Sequence, residues 1–202
     1  MVSRLIYFFL MLAAAGCFAA PLWAKPDAAA TRLRRLPALE TLSGARVRPL
    51  DNARGRRATV LLFVTHDCPI SNQYAPEVNR IVAEYAAKGV AFYLVYVEPG
   101  LTPNAARTHA RAFGYRCPAV LDPRHVLVKH AGASVTPEAA VYGPNGARLY
   151  RGRIDDRYPS LGRRREQVTT RDLRAALDAV LAGKSAPAAT TKAVGCFIPP
   201  SR

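Results

Sequence analysis

The stretch Phe63-Val64-Thr65-His66-Asp67-Cys68-Pro69-Ile70-Ser71 sets a thiol where an unbroken apolar run stops and apolar residues at helical spacing begin. A sulfur at the first turn of a helix faces unpaired backbone N–H groups and their partial positive charge. That field favours the thiolate and can bring a cysteine pKa from about 8.5 down to roughly 3.5–7.5. Cys68 is therefore read as a nucleophile for thiol–disulfide redox chemistry. An inert cysteine at a strand end is the plainer alternative, but it gives no reason for the order strand, Cys-Pro, helix.

A local dithiol needs a second cysteine three residues on, and that position holds Ser71, whose plainer role is to cap the helix. The redox partner must come from further away. Cys196 follows a tail, Lys184 to Thr191, that reads as loose and able to reach back across the domain. Closing so long a loop costs only logarithmically more entropy than closing a short one. Cys117 precedes a sheet strand, where rigid geometry would have to bring its Cα within about 7 Å of that of Cys68. Cys68 and Cys196 are taken as the catalytic pair, with Cys117 as the alternative resolving thiol. The histidines His66, His109, His125 and His130 show no metal-ligand spacing and read as scattered surface residues, so neither a metal nor a cofactor is expected.

The elements that must position these groups follow from periodicity. Residues 39–42 and 46–50 read as a small hairpin around Ser43-Gly44. Ala58 to Val64 and Val90 to Val97 are apolar throughout, as strands buried on both faces are. From Ser71, the residues Tyr74, Val78, Ile81, Val82 and Tyr85 keep helical spacing up to Gly89, with Pro76 inside the pattern or in its first turn. Thr102-Pro103 opens a second helix as N-cap and first helical residue. A short strand at Ala119–Leu121, a helical piece at Val126–Ala131 and a hairpin across Pro144-Asn145-Gly146 come next. A last amphipathic helix, capped by Thr169 or Thr170, carries Leu173, Ala176, Leu177, Val180 and Leu181 and stops at Gly183. Strands alternating with helices predict an α/β fold, a central mixed β-sheet with helices on both faces.

The start of the chain, basic to Arg4, apolar from Leu5 to Ala15 and small up to Ala24, has the layout of a signal peptide cleaved near Ala24. Ala14-Ala15-Gly16-Cys17 admits a second reading, a lipoprotein box that would hold the mature domain at a membrane through a lipidated Cys17. Both readings predict export to the periplasm. The division expected is a signal peptide at 1–24, a flexible connector at 25–37, one domain at 38–183 and a tail at 184–202 carrying Cys196. The formal charge of +15 comes mostly from dispersed arginines, which suits a solvated basic surface. No zinc finger, recognition helix or RNA-binding signature accompanies it, so nucleic acid is excluded as an expected partner.

These motifs resemble a known family. The strand ending in Cys68-Pro69, the internal Pro76, Thr136-Pro137 before a strand and the Asn145-Gly146 hairpin resemble the alkyl hydroperoxide reductase/thiol-specific antioxidant (redoxin) branch of the thioredoxin-like fold. Cys68-Pro69-Ile70-Ser71-Asn72, Tyr150-Arg151-Gly152-Arg153-Ile154-Asp155-Asp156 and the terminal Gly195-Cys196 further resemble secreted redoxin domains, some of them fused to c-type cytochrome modules. The resemblance implies a thioredoxin-like fold and a cis Thr136-Pro137 bond lying against Cys68, with the backbone of Thr136 open to an extended substrate. It implies a protein or small-molecule thiol or disulfide as partner, and a cytochrome-containing partner as a further expectation. It also implies an alternative activity, thiol peroxidase, because Thr65 and Cys68 match the Thr-x-x-Cys of that site. Leu61 stands where that site has a proline, and Thr136-Pro137 where it has a peroxide-binding arginine. A third reading is a non-catalytic binding module in which Cys68 is held in a permanent disulfide.

Overall fold

The computed structural model describes residues 36–51 and 55–201. The leader at 1–24, Cys17 and all but the end of the connector at 25–37 lie outside the described residues.

The two continuous apolar runs become β3 (Ala58–Val64) and β4 (Val90–Tyr96), paired in parallel from Ala58↔Val90 to Val64↔Tyr96. Their side chains alternate between two cores, which is why neither strand has a polar face. Val60, Leu62 and Val64 enter one core with Phe92, Leu94 and Tyr96, whereas Leu61 and Phe63 enter the other with Tyr93 and Val95. β5 (Ala119–Leu121) lies parallel to β4 on the far side, followed by the hairpin β1 (Leu39–Thr41) and β2 (Arg46–Val47). On the other side β7 (Glu138–Tyr142) runs antiparallel to β3 and turns through Gly143–Ala147 into β8 (Arg148–Gly152). The sheet order is β2-β1-β5-β4-β3-β7-β8.

The first core is covered by α1 (Pro69–Ala86) through Tyr74, Val78, Ile81 and Tyr85, and by α4 (Asp172–Leu181) through Leu173, Ala176 and Leu177. Ala106 of α2 (Pro103–Ala112) packs into the same core. The second core is covered by α3 (Val126–Ala131), through Leu127, Val128 and Ala131. A mixed sheet with helices on both faces is the architecture the pattern predicts.

Between α1 and α4 the buried carboxylate of Glu77 accepts from Arg80 Nε at 2.8 Å and Arg174 Nε at 3.1 Å. Burial pushes its pKa up, and the two guanidiniums more than offset that, holding it below the usual range. Helix α1 continues through Pro76. The expected threonine cap of α4 is not made, because the Thr169 and Thr170 amides donate to the buried Asp156 and the helix starts after Arg171 with no side-chain cap. No helix among the described residues is long and apolar enough to cross a membrane.

The tail departs from its sequence reading. Instead of hanging loose, it runs beside β8: Arg151 N donates to the Ala189 carbonyl and Thr191 N to the Arg151 carbonyl, both at 3.0 Å. Thr191 lies so close to Gly152 that a Cβ there would overlap the threonine hydroxyl and come within 2.8 Å of its amide nitrogen. The tail then forms β9 (Cys196–Phe197), antiparallel to β6 (Val135–Thr136). A polar tail is held by backbone pairing, which leaves no periodicity to read.

Candidate active site

Strand β3 delivers the chain to Cys68 after the turn Thr65–Asp67, and Cys68 is itself the N-cap of α1. Its extended backbone (φ −77°, ψ 110°) and Pro69 at the first helical position suit a helix start. Its sulfur accepts from Ser71 N at 3.5 Å. Ser71 is therefore not the cap. Its side chain is fully buried one turn into α1, and its hydroxyl makes no hydrogen bond.

Cys68 is joined to Cys196 in a disulfide that spans 128 residues, with Cα atoms 6.1 Å apart. Cys68 is 1% exposed, because the strand carrying Cys196 covers it. The Thr136-Pro137 bond is cis, and the Thr136 carbonyl oxygen lies 3.2 Å from the Cys68 sulfur. A sulfur in a disulfide has no proton, so this carbonyl accepts from Cys68 only once the pair is reduced to thiols. Thr65 and Thr136, both buried, share a hydroxyl–hydroxyl bond of 3.1 Å beneath the disulfide. The fold thus brings together Thr65, Cys68, Thr136, Pro137 and Cys196.

Cys117 is not part of this group. It is the free cysteine among the described residues, two residues before β5, and burial of its thiol pushes the pKa up to about 11. It stays a protonated, unreactive thiol at neutral pH.

Two sets of side chains escaped the sequence reading and hold the site in place. Asn72 donates to the His66 carbonyl at 3.1 Å, fixing the turn before Cys68, and accepts from His109 Nε2–H at 2.8 Å. The Tyr96 hydroxyl lies 2.7 Å from His109 Nδ1 and 3.3 Å from the Ala106 carbonyl; with its proton on the shorter contact the ring is neutral and carries its own proton on Nε2. Burial first, and repulsion from His66 second, keep the His109 pKa below the ordinary value. His109 and His125 are buried rather than on the surface, and His125 donates through Nε2 to the Val97 carbonyl at 2.7 Å. A polar ring is buried when distant segments supply partners, and spacing along the chain does not show them.

The second set holds the Thr136 turn. Glu138, buried behind Pro137, accepts from Ser134 N at 2.8 Å and faces Arg151 Nε at 3.6 Å. A carboxylate opening an otherwise apolar strand was the available signal. Among the described residues, His66, Asp67 and Glu98 place possible metal-ligand atoms within 4.8 Å of one another. His66 and Asp67 are exposed, and His66 spends both its backbone N–H and its Nδ1 on Glu98 Oε1.

Comparison with solved structures finds close relatives of the fold. An uncharacterized conserved protein from Geobacillus kaustophilus is 30% identical, with a TM-score of 0.71 over 82% of this chain and 89% of that one. A hypothetical protein from Sinorhizobium meliloti is 27% identical, with a TM-score of 0.68 over 80% and 88% of the two chains. A thioredoxin-like protein from Aeropyrum pernix, 17% identical, superposes with a TM-score of 0.50 over 60% of this chain and 83% of its own, and shares the fold alone. No protein-family model matches the chain, and no curated protein matches it.

Proposed function

We propose that this chain, which belongs to the same family as the uncharacterized conserved protein of Geobacillus kaustophilus and has the thioredoxin-like fold, is an exported thiol–disulfide oxidoreductase. Cys68 is its nucleophile and Cys196 its resolving thiol. The observation that carries this reading is the Cys68–Cys196 disulfide, set at the first turn of α1 and against the strand edge of Thr136. Helix-start amides stabilise the Cys68 thiolate, and Thr136 with Pro137 holds the backbone of the incoming partner.

In the reduced protein the Cys68 thiolate attacks one sulfur of a substrate disulfide R–S–S–R′. The S–S bond breaks and R′S⁻ leaves to take a proton from water. Cys196, as thiolate, then attacks the Cys68 sulfur, expels RS⁻ and restores the internal disulfide. Two electrons pass from the protein dithiol to the substrate, and an external dithiol returns them. The partner class is a protein or small-molecule thiol or disulfide; a cytochrome-containing partner, and export by the leader at 1–24, rest on the sequence. The exchange unit is the domain at 38–183 together with the tail, whose Cys196 completes the site.

Redox titration against glutathione, followed by alkylation and mass measurement, tests the reading. The expected result is a reversible two-electron equilibrium between Cys68 and Cys196 in the folded protein, abolished by Cys68→Ser. A disulfide that reduces only in denaturant would overturn it in favour of a binding module with a permanent bridge.

A further inference from the structure

The strand edge of Thr136 is already occupied by the chain's own terminus. β9 pairs antiparallel with β6 in the register Thr136↔Cys196 and Val135↔Phe197, and Ile198 N continues the ladder to the Ser134 carbonyl at 3.3 Å. A peptide strand with its cysteine bonded to Cys68 is the arrangement a mixed disulfide with a partner would have. The neighbouring positions differ in the room they leave. Gly195 lies flat against the Thr136-Pro137 peptide: a Cβ at this position would overlap the Thr136 carbonyl oxygen and come within 2.6 Å of its carbon. Those are backbone atoms, packed under the disulfide and braced by Glu138, and they cannot rotate aside. Phe197, on the other side of the cysteine and paired through its backbone with Val135, is 81% exposed, so little of its ring lies against the protein. Val194 packs partly against the first core.

We propose that Val194 to Phe197 is an internal substrate, and that the site takes from outside an extended polypeptide segment with glycine immediately before the reacting cysteine and free choice immediately after it. The proposal rests on the exchange reading above and adds the substrate class and its register. Strand and tail exclude each other at Thr136. In the oxidised protein the site is filled; reduction of Cys68–Cys196 frees the edge, a Gly-Cys segment whose cysteine is held in a disulfide takes the tail's place as Cys68 expels the other sulfur as a thiolate, and the returning Cys196 displaces the segment as its own thiolate. Each exchange conserves one disulfide and moves no electrons beyond those of the step already written.

The test uses the full chain as Cys196→Ser, reduced at Cys68, with two peptides whose cysteine is activated as a thionitrobenzoate disulfide: Ala-Val-Gly-Cys-Phe-Ile and Ala-Val-Ala-Cys-Phe-Ile. Release of thionitrobenzoate is followed, with the symmetric disulfide of thionitrobenzoate as a control that needs no strand pairing. The glycine peptide should react about tenfold faster than the alanine peptide, the size of a modest steric clash. Equal rates, or reaction with the control and with neither peptide, would overturn the inference and leave the exchange reading intact. Inertness toward all three would remove the exchange reading itself. A second variant, Gly195→Ala in the otherwise native chain, should make the Cys68–Cys196 disulfide about tenfold easier to reduce, because the alanine strand cannot seat. An unchanged equilibrium in that variant counts against the glycine requirement.

Discussion

The Cys68 sulfur stands between opposed influences. The Ser71 amide and the start of an 18-residue helix favour the thiolate, while the Thr136 carbonyl 3.2 Å away favours the protonated thiol. Thiol–disulfide exchange requires the helix start to prevail in the reduced protein, where the carbonyl accepts the thiol proton only while the Sγ–H keeps one orientation. At Cys117 burial outweighs the backbone hydrogen bonds that favour its thiolate and pushes the pKa up to about 11. Alkylation should therefore separate the two thiols. In Cys196→Ser, iodoacetamide should modify Cys68 with a midpoint below about 8.5, leaving Cys117 untouched until well above it. A Cys68 midpoint at or above that value would remove the nucleophile assignment. The sequence made Cys68 legible because a strand end and a helix start fall on either side of it. It misassigned Ser71, since which of two neighbouring residues caps a helix depends on the exact residue at which the helix begins.

At the scale of elements, a line of hydrogen-bonded groups from β4 through α2 to α1, buried at Tyr96 and His109, holds the turn before Cys68: Tyr96, His109, Asn72 and the His66 carbonyl. The line is complete with a neutral His109, whose pKa lies below the unfolded value of about 6.5 because burial, and then His66, disfavour the cation. The sign follows from proton counting. Below about pH 6.5 the unfolded chain binds a proton that the folded one refuses, so this contribution is present above that pH and is lost as pH falls through the folded pKa. Between pH 7 and pH 5 the unfolding free energy of the native protein should fall more steeply than that of His109→Gln, as urea titrations at each pH would report. Parallel slopes would mean that the ring is not held neutral. β3, β4 and α1 were legible because their periods are long and unbroken. β6 and β9, two residues each, carry no period, and the docking of the tail on β8 is made by the Ala189 carbonyl, the Thr191 amide and the single Thr191 hydroxyl, none of which leaves a pattern along the chain.

For the whole molecule, the Cys68–Cys196 bridge ties the centre of the sheet to the terminus and closes a loop of 128 residues. The chain-entropy account gives such a loop about 5 kcal/mol of stabilisation as an upper figure, with measured bridges falling in a range of roughly 2–5. Contacts that persist without the bridge lower the share that depends on it. Thr191 would still bond Tyr150 and the Arg151 carbonyl, and Val194 would still pack against the first core. Loss of the bridge should therefore undock the last strand before it loosens the sheet. Cys196→Ser should lower the unfolding free energy by about 2–4 kcal/mol, with the urea slope little changed, because the surface buried in the sheet and its helices is the same. Amide exchange offers the finer measurement, since it reports each opening separately. Protection should drop at Ile198, whose amide bonds Ser134, and persist at Leu94 and Val97 in and beside β4. Were protection to fall equally at all three, the terminus would be a structural staple of the whole sheet rather than a strand that comes and goes at Thr136.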